Sequence, residues 1–184
     1  MNLRRHPLEV APDLIGAELT FGGVGGVIVE CEAYDHEDPA SHAYLNRRSP
    51  RNASMFLGGG YVYVYRSMGI HWCMNIVCGD PGVAGAVLLR ALEPTLGFDA
   101  MVERRGLADV RLLCSGPGRL CQALGITREQ DGSRVDEPPF TLGDRTAPVE
   151  IVTGPRIGIS KAAELPWRFG LAGSRFLSRP FSGR

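Results

Sequence analysis

The chain has 184 residues, of which 44% are hydrophobic and 22% are charged, and these values are typical of one globular domain. No apolar run approaches the roughly 20 residues that cross a bilayer, and no signal-peptide pattern opens the chain, so we expect a cytoplasmic protein. The formal net charge of +0 argues against a strongly basic nucleic-acid binder. However, Lys161 is the only lysine, and arginines suit bidentate contacts with phosphate, so a nucleic-acid partner stays open.

The first predicted elements are a short helix and a strand hairpin. Pro12 suits the first turn of a helix that ends before Gly16, and residues 18–21 predict a strand. The glycines of residues 22–26 predict a tight turn, from which a second strand returns over residues 28–34. The five cysteines include no C-x-x-C pair, which indicates buried, reduced thiols rather than a disulfide framework or a zinc ribbon.

The second strand carries the first candidate for chemistry. Strand alternation places Glu30, Glu32 and Tyr34 on one face. Two carboxylates there are costly unless they are paired, hydrated or catalytic, so the strand is either an edge with a solvated polar face or part of a site. A loop rich in titratable groups follows and leaves a metal-dependent hydrolase open, although its histidine spacing matches no known ligand pattern. These loop residues are Asp35, His36, Glu37, Asp38 and His42.

A basic loop and a second hairpin come next. Arg47, Arg48 and Arg51 form either a solvated loop or a phosphate-contacting one. Residues 61–65 and 70–77 predict two paired strands, with Met68 near the tip. A methionine at such a tip is either incidental or an apolar wedge between bases.

The remaining elements alternate between strands and helices. Residues 84–92 predict a strand interrupted by Arg90, whose guanidinium needs an acidic partner if buried, and Glu32 is the expected one. Residues 97–105 predict a helix with Phe98 inward. Ser115 is predicted to cap another helix that opens at Pro117. After an acidic connection over residues 129–150, residues 149–153 and 156–159 predict strands, and the absence of linkers favours one domain over residues 1–184.

Several motifs together resemble the alkyladenine (3-methyladenine) DNA glycosylase family. They include V-E-C-E-A-Y, P-R-N-A-S-M-F, Y-V-Y-V-Y, H-W-C-M-N, V-L-L-R-A-L-E-P, C-S-G-P-G-R-L-C-Q-A-L and P-R-I-G-I-S, in the family's order from residue 8 to about residue 177. The resemblance implies a mixed α/β (α+β) single domain, with a curved antiparallel sheet, peripheral helices and a protruding DNA-inserting β-hairpin. It also implies a monomer without cofactor, metal or obligate protein partner, located in the cytoplasm at the nucleoid.

The activity implied by the resemblance is hydrolysis of the N-glycosidic bond of a flipped, alkylated or deaminated purine in double-stranded DNA. Glu32 matches the family's catalytic base, which activates the attacking water. Arg90 matches an arginine that helps to hold the glutamate and this water, and the carbonyl of Ile157 matches the third water-holding group. Asn75 matches a residue that obstructs the amine of guanine. The residues that match the base pocket are Tyr34, His42 and Tyr65. The residues predicted to contact the DNA backbone are Arg47, Arg48, Arg51, Ser115, Gly116 and Arg119.

Met68 departs from the family's pattern, because the best-known relatives carry an intercalating tyrosine at this position. Methionine can still fill the gap left by a flipped base but loses ring stacking. The alternatives to an enzyme of this type are a catalytically silent nucleic-acid-binding module and, third, a metal hydrolase. Glu30 is the alternative choice for the base, and residues 1–6 and 178–184 are expected to be poorly ordered.

Overall fold

A curved antiparallel sheet with helices at its periphery forms the protein, as described by a computed structural model for residues 1–181. The strands in this range are β1 (Glu18–Phe21), β2 (Val24–Asp35), β3 (Val62–Ser67), β4 (His71–Val77), β5 (Gly85–Leu96), β6 (Phe140–Leu142), β7 (Ile151–Gly154) and β8 (Arg168–Leu171). The helices are α1 (Pro7–Leu14), α2 (Phe98–Arg105), α3 (Val110–Leu113) and α4 (Pro117–Leu124). The predicted mixed α/β single-domain architecture with a curved antiparallel sheet is confirmed.

Strand β2 is the centre of the sheet. It pairs with β5 along most of its length, with β1 through its first residues and with β8 through Glu30 to Glu32. The order of neighbouring strands across the sheet is β3, β4, β5, β2, β1 and β6. Strand β8 pairs with β2 off this path, and β7 pairs with β8. The register between β2 and β5 shifts on either side of Glu30, and such bulges redirect side chains next to functional sites.

The first hairpin differs from its prediction because the strand begins earlier. Gly25 and Gly26 lie within β2 rather than in the turn, which is left to Gly22 and Gly23 at φ angles of 56° and 78°. A Cβ on Gly25 would lie 2.0 Å from the carbonyl oxygen of Leu19. These two strand glycines therefore permit close backbone approach rather than chain reversal.

Two helix predictions need correction. Helix α1 begins at Pro7, one turn before the predicted start, because the side chain of His6 caps it by accepting from the N–H of Leu8. Helix α4 begins at Pro117 as predicted, but its N-cap is Gly116 rather than Ser115. Ser115 instead forms an isolated bridge with Ala91 of β5.

Two other predictions, the orientation of Phe98 and the strand at residues 156–159, also need correction. Phe98 is 39% exposed, so its predicted inward orientation is wrong, whereas Met101 of the same helix is fully buried. Residues 156–159 do not form a strand, since Gly158 takes a φ of 78° outside the strand region and Arg156 turns its side chain into the protein. The core lies between the sheet and α1, α2 and α4, and all five cysteines are buried and reduced as predicted.

The chain ends carry specific contacts. The terminal amine of Met1 pairs with Asp144 at 3.0 Å, and Ser178 donates hydrogen bonds to Glu30 through both its N–H and its hydroxyl. Poor order at residues 1–6 and 178–181 stays a prediction, and the part of that prediction that covers residues 182–184 lies outside the described residues.

Candidate active site

Both glutamates of β2 are completely buried. Glu30 and Glu32 expose 0% of their surface, so the interpretation of β2 as an edge strand with a solvated polar face is wrong. Buried carboxylates require charge partners and hydrogen-bond donors. Arg90 of β5 supplies the partner for both, because its Nε lies 3.1 Å from Oε1 of Glu30 and its Nη1 lies 3.2 Å from Oε1 of Glu32. The sequence-based prediction that Arg90 pairs with Glu32 is confirmed.

Three groups hold the carboxylate of Glu32, and two of them come from distant parts of the chain. Arg90 and the backbone N–H of Ile157, at 2.7 Å, both approach Oε1. The hydroxyl of Tyr34 donates to Oε2 at 2.8 Å. A carboxylate has about four acceptor positions, so these contacts leave roughly one, on Oε2, among the described residues. The carbonyl of Ile157 as a water-holding group stays a prediction.

A cavity of about 470 Å³ opens next to these groups. This volume is in the range of small-molecule sites, and Tyr34, Arg90 and Ile157 connect its wall to Glu32 behind them. The predicted site residues that line the cavity are Tyr34, His42, Arg51, Tyr65, Met68, Asn75, Arg90 and Ile157. The structure therefore brings together in one pocket most of the residues that the sequence singled out separately.

Aromatic rings form one wall of this cavity. The rings of His42 and Tyr65 meet edge to face with centroids 4.5 Å apart, and Tyr63 stacks on Tyr65 at 5.5 Å. Burial raises the pKa of the Tyr65 phenol well above its ordinary value, so this ring stays neutral. The wall thus offers uncharged aromatic surfaces for a planar ligand.

His42 is fixed by a residue that the sequence-based site did not include. Its Nδ1 lies 3.0 Å from the hydroxyl of Tyr63, which is buried. Partial burial, followed by the charge of Arg51, lowers the pKa of His42, which favours the neutral ring. The alternation of β3, which places Tyr63 on the face of Tyr65, was the signal that could have identified Tyr63.

Asn75 lies at the floor of the cavity on β4. Its Nδ2 donates to the carbonyl oxygen of Tyr63 at 3.1 Å, and the side chain is buried. This bond across the β3–β4 pair fixes the orientation of the amide. Its predicted contact with a purine amine stays a prediction.

A buried ion pair behind the cavity was also missed. Arg156 is bidentate to Asp38, with Nη2 3.0 Å from Oδ1 and Nη1 bonded to Oδ2, and both side chains are fully buried. The guanidinium lies 4.5 Å from the ring centroid of Tyr34 and 5.0 Å from that of Trp167. Because Arg156 directly precedes Ile157, this pair anchors the segment that reaches Glu32. Asp38 and Arg156 are 118 positions apart, so no local sequence pattern indicated this pair.

The tip of the β3–β4 hairpin exposes apolar side chains. Met68 is 86% exposed and takes a left-handed backbone conformation with a φ of 47°, and Ile70 beside it is 65% exposed. Met68 also borders the cavity. Ile70 is a second exposed apolar group that the sequence interpretation did not single out. Insertion of this tip into DNA stays a prediction.

The predicted backbone-contacting residues fall into two groups. Arg47, Arg48 and Arg51 are exposed, and the guanidinium of Arg51 lies 5.8 Å from the ring centroid of Tyr65 at the cavity. Arg119 is exposed on α4, and its Nη1 donates to the carbonyl of Ser115 at 3.2 Å. Arg119, Ser115 and Gly116 lie at the start of α4, next to Pro117 of the cavity wall.

The chain is similar to one family of proteins over almost its whole length. A family model described as methylpurine-DNA glycosylase matches residues 1–175, so the chain belongs to the methylpurine-DNA glycosylase family. Among individual relatives, the chain is 62% identical to the "Putative 3-methyladenine DNA glycosylase" of Rhodopseudomonas palustris strain BisB18 over 95% of this chain and 86% of that protein. It is 60% identical to the protein of the same name from Nitrosospira multiformis, over 95% of this chain and 90% of that protein.

Residues 1–181 lack two further features. None of the helices in this range has the length and apolar character to cross a membrane. This part of the chain also contains no cluster of three or more His, Cys, Asp or Glu side chains arranged to hold a metal ion.

Proposed function

We propose that this protein is a DNA glycosylase that removes alkylated purines, and deaminated ones, from double-stranded DNA by hydrolysis of the N-glycosidic bond. The observation that carries the proposal is the carboxylate of Glu32, fully buried behind the cavity and held by Arg90, Tyr34 and Ile157. A carboxylate restrained in this way, with an acceptor position left, is suited to orient and deprotonate one water molecule.

In the proposed reaction, the damaged nucleotide leaves the base stack and its base enters the cavity. Glu32 takes a proton from the water as the water oxygen bonds to C1′ of the sugar, while the bond from C1′ to the base nitrogen breaks. The negative carboxylate also stabilises the positive charge that develops on the sugar. The products are the free base and an abasic site. Arg90 keeps the ionised form of Glu32 in place without itself exchanging a proton.

The aromatic wall supplies base recognition. Tyr34, His42 and Tyr65, which line the cavity, are proposed to contact the faces and edges of a purine, and aromatic rings attract a cationic alkylpurine by about 0.5–2 kcal/mol. A cationic base is also a good leaving group, so little acid assistance is required. Asn75, fixed by its bond to Tyr63, is proposed to exclude guanine by obstructing the exocyclic amine.

We further propose a monofunctional, metal-independent enzyme that acts as a monomer in the cytoplasm, at the nucleoid. A lyase reaction through a Schiff base needs an amine at the sugar. Lys161 is not among the residues that line the cavity, and the amine of Met1 is paired with Asp144. The exposed Arg47, Arg48 and Arg51 beside the cavity are proposed to contact the DNA backbone. Ser115, Gly116 and Arg119 are proposed to contact it at the start of α4.

The test uses duplexes that contain one methylated purine, one hypoxanthine or one ethenoadenine. Base release is measured under single-turnover conditions for the native protein, for Glu32→Gln and for Glu37→Gln, each with and without a chelator. Glu37 is an exposed acid in the loop after β2 and serves as the matched control. We expect chelator-resistant release that falls at least about 100-fold in Glu32→Gln only, consistent with loss of a general base.

Other outcomes identify the alternatives. Damage-dependent binding without release by the native protein would indicate a silent DNA-binding module. Release abolished by the chelator would indicate a metal-dependent hydrolase. Release that survives Glu32→Gln would remove Glu32 as the base and leave Glu30 as the next candidate.

A further inference from the structure

We propose that Glu30 is a positioning residue that holds the side edge of the Arg90 guanidinium, so that Arg90 contacts Glu32 through one nitrogen and leaves an acceptor position of Glu32 for water. This inference rests on the proposed function, because it concerns the geometry of the proposed base. Glu30 itself has no role assigned by the family resemblance.

The contacts of Arg90 divide its guanidinium into two parts. On the side edge, Nε donates to Oε1 of Glu30 at 3.1 Å and Nη2 donates to the hydroxyl of Ser178 at 3.4 Å. The remaining nitrogen, Nη1, lies 3.2 Å from Oε1 of Glu32. Since the guanidinium is planar and rigid, occupation of the side edge fixes which nitrogen faces Glu32.

Removal of Glu30 would free the edge that binds carboxylates most strongly. A guanidinium with a free fork prefers two parallel hydrogen bonds to one carboxylate. Glu32 is the other carboxylate within reach of Arg90, and a bidentate pair would engage both of its oxygens. Oε2 of Glu32 already accepts from Tyr34, so the second contact would fill the position left for water.

Glu30 also balances charge. Two carboxylates, Glu30 and Glu32, face two guanidinium groups, Arg90 and Arg168, so the formal charges of this buried cluster cancel. Arg168 of β8 reaches Oε1 of Glu30 at 3.2 Å. Without Glu30, two buried guanidinium groups would share the single carboxylate of Glu32, and the cluster would carry a net positive charge.

The segment after β8 holds Glu30 from the other side. The N–H of Ser178 donates to Oε2 of Glu30 at 2.5 Å, and its hydroxyl donates to Oε1 at 2.8 Å. Arg168 is in turn fixed by the carbonyls of Arg179 and Pro180. Four donor contacts from Arg90, Arg168 and Ser178 reach the carboxylate of Glu30, which matches the roughly four acceptor positions of a carboxylate, so Glu30 is suited to hold Arg90 rather than to bind the reacting water.

The test compares three isosteric Glu→Gln changes. Glu30→Gln removes the charge of the positioning residue, Glu32→Gln removes the proposed base, and Glu93→Gln is a matched control on the strand that carries Arg90. For each folded variant, the single-turnover rate of base release and the Kd for damaged duplex are measured separately. The fraction of folded protein is measured by circular dichroism and by titration of binding sites.

We expect Glu30→Gln to lower the rate of base release by about 10- to 100-fold, with the Kd within about threefold. A misplacement of the water-activating carboxylate by about 1 Å acts on the chemical step and can cost roughly 100-fold in rate. Glu93→Gln is expected to match the native protein. A purely structural role would lower the rate only in proportion to the loss of binding-competent protein. That outcome, or an unchanged rate in Glu30→Gln, would overturn the inference.

Two further variants keep the inference testable if Glu30→Gln does not fold. Ser178→Ala removes one donor to Glu30 and one partner of Arg90 without a change of charge, and is expected to lower the rate severalfold at constant Kd. Glu30→Gln combined with Arg168→Met preserves neutrality and is expected to fold and to release base slowly. A native rate in these two variants would reject the inference. If Glu32→Gln retains release, the assignment of Glu32 as the base in the proposed function fails instead, which separates the two failures.

Discussion

The backbone N–H of Ile157 donates a 2.7 Å hydrogen bond to Oε1 of Glu32, across 125 positions of the sequence. A peptide group in the loop after β7 thus helps to fix the orientation of the Glu32 carboxylate on the central strand β2. The loop holds its position through Arg156, whose guanidinium donates to the carbonyl of Ala33 at 2.9 Å and pairs with Asp38. The proposed catalytic geometry therefore depends on a buried ion pair that does not touch the cavity directly.

Replacement of Arg90 by lysine tests the importance of its planar shape. Lysine keeps the charge but cannot hold Glu30 through one edge and Glu32 through another nitrogen. We expect base release to fall about 10- to 100-fold, as for the loss of one hydrogen bond to a charged group, while damaged-duplex binding persists. Single-turnover kinetics with Arg5→Lys as a surface control provide the measurement. A native rate in Arg90→Lys would show that charge alone suffices.

Replacement of Met68 by tyrosine tests the hairpin tip. Met68 is 86% exposed, so a larger side chain meets no steric obstacle there. A ring that stacks on bases contributes about 1–3 kcal/mol per contact, so we expect Met68→Tyr to increase binding and excision of a neutral lesion about fivefold or more. Hypoxanthine and ethenoadenine duplexes provide the substrates. Leu96→Tyr, at an exposed apolar position outside the cavity lining, is the control. Equal excision by Met68→Tyr and the native protein would argue against insertion of the tip.

The lowered pKa of His42 predicts a pH dependence of stability. Desolvation, then Arg51, disfavours its protonated form in the folded state, so the unfolded chain binds this proton at a higher pH than the native protein does. The contribution is fully present above the ordinary histidine pKa of about 6.5 and is lost as the pH falls through the lower native value. We expect a smaller decrease in the free energy of unfolding between about pH 7 and pH 5 for His42→Asn than for the native protein.

Urea denaturation at several pH values measures this difference. His36→Asn serves as the control, because its side chain lies in the same loop outside the cavity lining. Parallel curves for His42→Asn and the native protein would contradict the lowered pKa.

The buried pair of Arg156 and Asp38 predicts a large asymmetry between single and double variants. Arg156→Met leaves a buried, unpaired carboxylate, and such changes cost about 3–5 kcal/mol in the free energy of unfolding. Addition of Asp38→Leu removes that charge, and we expect the double variant to recover much of the loss. In the exposed pair of Arg5 and Asp13, Arg5→Met is expected to cost less than about 1 kcal/mol. Urea titrations that show equal losses for both arginines would refute the prediction.

The same pair links stability to the proposed chemistry. Because Arg156 lies against the ring of Tyr34 and precedes Ile157, the double variant is expected to fold yet to release base more slowly. Stability that is recovered together with a native rate would show that the loop keeps its position without the ion pair.

The sequence by itself determined the features that follow from local periodicity and composition. The alternation of β2 correctly placed Glu30, Glu32 and Tyr34 on one face, and an arginine within an apolar strand correctly implied an acidic partner. The β3–β4 pairing and the buried, reduced cysteines were also predictable from the pattern of residues. These inferences need only neighbouring residues, because a strand alternates with a period of two and buried charges require partners.

Only the tertiary structure decided how these parts meet. The pairing of β8 with β2 brings the segment after β8 onto Glu30, which accepts a hydrogen bond from the N–H of Ser178, whereas Glu32 accepts one from the N–H of Ile157. Residues 156–159 leave the extended conformation at the left-handed Gly158, and in this segment Arg156 is buried and the N–H of Ile157 donates to Glu32. Such contacts join segments more than 100 residues apart and depend on loop conformation and sheet curvature. Local periodicity contains no information about either, which is why the sequence identified Arg90 as a partner of Glu32 but not the hydrogen bonds that the backbone N–H groups of Ile157 and Ser178 donate to the two glutamates.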